Sequence, residues 1–196
     1  AGRAAVHLAC GDIDGAQTLL ERRRVAYDPD ADAVLRLAYR EVEAGVQLAR
    51  GDRQAALAVF HAAESEASQG GFDGTAAFFL GMTGVMTADP DALVKAMDVL
   101  GVAGDRRLAA KVLLLGALTG GDPDILESAE QEARNSGDQF LLLEVLHASG
   151  TELNRTEARA TASGILAHTP TSLRDHFLDM PAVRWAGLRS EADHPR

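Results

Sequence analysis

The chain is poor in cysteine, in lysine, in aromatic residues and in long apolar runs, and each shortage excludes something. Cys10 is the one cysteine in 196 residues. A single thiol forms no intramolecular disulfide, so this is no secreted disulfide scaffold, and a reducing cytoplasm is the expected compartment. No run approaches the roughly 18 uninterrupted apolar residues that cross a bilayer, so no membrane partner is expected. The lysines are Lys95 and Lys111, and 19 Lys plus Arg against 29 Asp plus Glu leave a net charge of −10. With aromatic residues at only 5%, that balance disfavours nucleic acid, whose binding sites want basic patches and stacking rings. The one basic cluster, Glu21-Arg22-Arg23-Arg24, falls late in a predicted helix, where cations favour the negative dipole end. The chain opens without Met or a leader-like segment and is expected to be a piece of a longer protein.

Motifs for chemistry are also missing. No pair of glycines flanks four residues ahead of Lys and Ser or Thr, so no P-loop is encoded. Asp28, Asp30 and Asp32 alternate like the start of a calcium loop, but Ala33 stands where the turn glycine belongs and Tyr39 where the closing Glu belongs. Among His7, His61, His147, His168, His176 and His194 no two share the close helical spacing of zinc ligands, and Pro170 breaks any helix that would join His168 to His176. No Gly-x-Ser-x-Gly elbow occurs. Cys10, at a helix end beside Gly11, reads as a small buried hydrophobe. No catalysis, cofactor or metal is expected.

What the chain does have is self-similarity. Gly11-Asp12 is followed by Ala16 and Leu20, and Gly51-Asp52 by Ala56 and Phe60 at the same offsets. Ala88-Asp89 leads likewise to Leu93 and Met97, and Gly121-Asp122 to Leu126, then Ala129 and Ala133. Each dipeptide sits between two stretches whose apolar residues recur every three or four positions, as in Leu35, Ala38, Val42, Val46 and Ala49. Glycine suits a left-handed helix C-terminus and aspartate the N-cap of the next helix, so each marks a helix-turn-helix hairpin. The pattern predicts helices near 2–10, 13–26, 31–49, 52–69, 73–87, 90–100, 105–119, 123–135, 138–149, 154–167, 170–179 and 181–188, with linkers at 27–30, 69–72, 101–104 and 135–138. One repeat domain over 1–189 and a frayed polar tail over 190–196 are expected.

A helix pair with a small residue in its first helix, a Gly-Asp turn, then Ala and a large apolar residue four apart resembles the tetratricopeptide repeat. The family's small residue, seven positions before the turn, falls on Ala4, Ala44 and Gly81, with Leu114 departing in the fourth unit. Asp28-Pro29 resembles the proline that closes a repeat. Spacings of 37 and 40 residues are similar to the longer-helix repeats of bacterial signalling ATPases, kinases and transcription activators, and Ser172 to Arg184 to their closing helix. The resemblance implies an all-α, right-handed solenoid of about five antiparallel pairs with C-terminal capping helices.

In that family the first helix of each pair lines a concave groove. Carried over, the groove positions are Ala38, Glu41, Gly45 and Leu48 in the second unit, then Phe78, Met82, Val85 and Met86 with Thr75 in the third. The fourth supplies Leu108, Lys111, Leu115 and Leu118, and the fifth Phe140, Leu143 and His147. This lining is mostly apolar. Either the chain fills the groove with its own core, or the groove accepts an amphipathic helix or extended peptide, or it packs against another copy as a homo-oligomer. The resemblance implies a noncatalytic protein-interaction or regulatory module whose partner is a protein, a peptide or the rest of its own full-length chain. A small-molecule sensor and an accessory domain of an enzyme are the alternatives.

Overall fold

The computed structural model describes residues 2–25 and 32–188. Asp28-Pro29, the first linker and the polar tail, on which expectations also rest, lie outside the described residues. Those described are helical, with no strand among them: α1 (Gly2–Ala9), α2 (Ile13–Val25), α3 (Ala33–Ala49), α4 (Arg53–Gln69), α5 (Asp73–Thr87), α6 (Pro90–Ala103), α7 (Arg106–Gly120), α8 (Pro123–Ser136), α9 (Gln139–Ser149), α10 (Glu152–His168), α11 (Arg174–Asp179) and α12 (Pro181–Trp185), with a 3-10 turn at Thr171–Leu173.

The turns form for the reasons the dipeptides suggest. Gly11, Gly51 and Gly121 have φ of 80°, 79° and 69°, and Ala88 adopts 56°, a left-handed backbone that only glycine enters without steric cost. Each following aspartate caps the next helix: Asp12 accepts from the Gly15 amide, Asp52 from Ala55, Asp89 from Asp91 and Ala92, and Asp122 from Asp124. Asp105 and Asp138 do the same at the turns between pairs. The expected linker at 101–104 is mostly helix, because α6 runs on to Ala103 before Gly104 turns.

Consecutive helices pack antiparallel into pairs, and the crossing positions explain the small residues. Ala4, Ala44, Gly81 and Leu114 are all buried. At Gly81 a Cβ would stand 3.1 Å from Ala96 Cβ on the paired α6 and 2.9 Å from Val112 Cγ1 on α7, so glycine lets α5 lie close to both neighbours. In the second helices the position twelve after the turn is the most constant: Ala63, Ala133 and, after Gly150, Ala162 are 0% exposed and Leu100 is 1%. Leu93 and Met97, expected as the core line of the third unit, are only partly buried, because Ala96 and Leu100 carry the contact one turn later. Leu35, expected on the buried face of α3, is 47% exposed; α3 is gripped from two sides, and its interior residues are Leu37, Val42, Ala44 and Val46.

First helices touch one another along the array, α1 with α3, α5 with α7 and α7 with α9, while the second helices make no comparable contacts among themselves. A row whose members converge lies on the inside of a curve. The solenoid is therefore concave on the side of the odd-numbered helices through α9, and α12 packs back on α9 and α10.

Candidate functional site

The concave side is the face to which α3, α5, α7 and α9 bring equivalent positions. Ten residues before the turn stand Glu41 on α3, Phe78 on α5, Lys111 on α7 and, counting from Gly150, Phe140 on α9. Glu41 on α3 accepts from Lys111 Nζ on α7, and also from Arg107 Nη2 at 3.5 Å. Arg107 Nε donates in turn to Asp138 Oδ2 at 2.9 Å, and the other oxygen of Asp138 caps α9 through the Leu141 amide. An ionic network thus spans from α3 past α5 to α7 and the start of α9. Lining that reads as mostly apolar in sequence is crossed by charge.

Below the network, α3 and α5 do not pack along their length, and a cleft of about 290 Å³ opens between them. Leu37, Phe72, Phe78 and Leu108 form an apolar floor, and Glu41, Asp105 and Arg107 a charged rim. Val34, 56% exposed, stands at its mouth.

The electrostatics follow from this placement. Burial pushes the Asp138 carboxyl up, but the Leu141 amide and the Arg107 guanidinium outweigh it and hold the group below the usual carboxylate range. Burial likewise opposes charge on Arg107, while Glu41 and Asp138 hold its pKa above the ordinary value. Glu144 on α9 is exposed as a residue, yet the surrounding concave protein displaces enough of its hydration to push its carboxyl up; nearby Lys111 opposes this and Asp138 adds to it. His147 is pushed down by desolvation, and its ring lies 5.6 Å from that of Trp185 on α12.

The residues expected in the groove divide into three groups. Met82, Val85 and Leu143 are closed off in the core, at 8%, 7% and 0% exposure, and present no surface to a partner, while Phe78, at 2%, shows only the edge that floors the cleft. Met86, Lys111, Leu115, Phe140 and His147 are half-buried on the concave side, and Leu118 is 65% exposed. Leu143 is interior because it stands seven before Gly150, the crossing position held by Ala44 and Gly81 elsewhere; the groove position is the next residue, Glu144. The turn glycine at 150 carries the signal that would have phased α9. Arg107 and Asp138 lie one helical step outside the repeat's groove positions, so only the fold brings them in. Among the described residues no three or more His, Cys, Asp or Glu side chains gather as a metal site would require, and no helix is long and apolar enough to cross a membrane. Compared with protein-family models, curated proteins and solved structures, the chain matches none of them.

Proposed function

We propose that this is a noncatalytic, tetratricopeptide-like interaction module of a larger bacterial signalling protein, and that its concave face takes a segment of a protein partner. The observation that carries the reading is the cleft between α3 and α5, with an apolar floor under a charged rim, built from positions the repeat directs inward. An apolar floor supplies affinity through burial, and a rim of fixed charges sets orientation, the division of labour found across protein interfaces. Peptides selected from a displayed library on the intact chain test it. Thr75→Trp, which fills the cleft from its α5 wall, should weaken selected peptides at least tenfold with helical content unchanged. Val102→Glu, on the outer row at 93% exposure, should leave them alone. If no selected peptide distinguishes Thr75→Trp from wild type, the reading fails.

One observation favours a small-molecule sensor as second reading: the cleft volume lies near the lower end of the roughly 300–1,000 Å³ typical of small-ligand sites. A compound that raises the melting temperature of wild type but not of Thr75→Trp would favour it over the peptide.

A further inference from the structure

The first helix pair meets the far end of the chain. Cys10, in the α1 to α2 turn, is 1% exposed, and its buried neighbours belong to the core of α7 to α12, including Leu173, Phe177 and Ala182, and not to the small core of its own pair. Gly11 lies so near the α11 to α12 junction that a Cβ there would stand 3.2 Å from Met180 Cγ and 3.5 Å from the His176 carbonyl. Asp12 caps α2 through the Gly15 amide and bonds His7 Nδ1 at 2.7 Å beside the same junction. The solenoid is closed into a ring by one turn seated on one cap.

This closure is thin. Among the described residues, the core that holds the first pair to α3 contains Ala4, Ala16, Leu20, Val42 and Val46, fewer and smaller side chains than those described in the other two cores. Beside the seam an apolar cleft of about 530 Å³ stays open, walled by Val6 and Cys10 on one side and by Phe140 and Ile165 on the other, and Val6 is 45% exposed. Segments that bury less apolar surface open at lower free energy than the molecule as a whole. We infer that the seam is a clasp: α1 and α2 part from the C-terminal cap as a unit while α3 to α10 stay folded, converting a closed ring into an open array and baring Cys10 and the apolar wall of Phe140 and Ile165. This inference is independent of what the concave face binds.

Cys10 reports on the clasp directly, since in the closed ring its thiol is covered and burial pushes its pKa up. The experiment is alkylation of the intact chain with excess iodoacetamide across a series of sub-denaturing urea concentrations, beside equilibrium unfolding followed by circular dichroism. The clasp requires labelling at least 100-fold slower than in the urea-unfolded chain, yet at least 10-fold faster than global unfolding allows, with a much weaker urea dependence. Met180→Ala, which thins the seam, should speed labelling about 10-fold while the unfolding midpoint barely moves. Labelling that tracks global unfolding in rate and urea dependence would overturn the clasp, and so would labelling at the rate of the unfolded chain. Should Met180→Ala fail to fold, the wild-type urea dependence decides alone.

Discussion

α5 and α7 occupy equivalent places in successive repeats, yet their concave positions fare differently. On α5, Phe78, Met82 and Val85 are nearly sealed; on α7 the same positions carry Lys111 and Leu115, half-buried, and Leu118, open to solvent. The repeat dictates where a side chain points, and the neighbours decide whether anything covers it. α5 shares one core with Leu37 and Ala44 of α3 and with Leu108 and Val112 of α7, whereas Leu118 at the C-terminal end of α7 stands open to solvent.

The sharpest way to break this comparison is to place a carboxylate at both sites. Met82→Glu buries a charge among apolar side chains and should cost about 3 kcal/mol or more, a large share of the about 5–15 kcal/mol that holds a domain folded. Leu118→Glu should stay within about 0.5 kcal/mol of wild type. Melting curves of the two variants decide, and equal midpoints would undo the contrast.

A second pair sharpens it within α9. Leu143→Ala should cost about 3 kcal/mol by opening a cavity at the crossing position. Glu144→Gln should be mildly stabilising at neutral pH. Its carboxyl is raised in the folded state, so its contribution is fully present below the ordinary value near 4.3 and is lost as pH rises through the folded value. Urea midpoints at pH 4 and pH 7 should therefore differ less for the Gln variant than for wild type if only this group is considered.

A modest loss is expected at the end of the network. Asp138→Ala removes an N-cap and the partner of Arg107, and should cost about 1 kcal/mol at neutral pH. Because the Asp138 carboxyl is held low in the folded state, its contribution is present above the ordinary value of about 3.9 and lost as pH falls through the folded value. The gap between variant and wild type should close on acidification, as chemical denaturation at pH 7, 4 and 2.5 would register.

The helices, their turns and the hairpin crossings were legible in sequence because they depend on residues close in the chain: a glycine with the aspartate after it, or alanines at fixed offsets. Ala88 was legible as a turn from Asp89 and Pro90 alone, although its own side chain argues against a left-handed backbone. The burial of the groove positions was not legible, because Phe78, Met82 and Val85 are covered by residues of other helix pairs, among them Leu37 on α3 and Leu108 and Val112 on α7. Glu144 was missed by one residue of phase, and a single step along a helix rotates a side chain by about 100°. The seam at Cys10 left no local mark, since its two halves lie at opposite ends of the sequence.

That separation orders the assembly of the chain. Loop closure costs more entropy as the intervening loop lengthens, so contacts within a helix pair are the cheapest to form. The pairing of Glu41 with Lys111 closes a loop of 70 residues and depends on the third pair already standing between them. The seat of Cys10 requires Leu173, Phe177 and Ala182, which a ribosome makes long after Cys10. Until those residues emerge the first pair has no seat for its thiol, and the seam closes only once α11 and α12 are made.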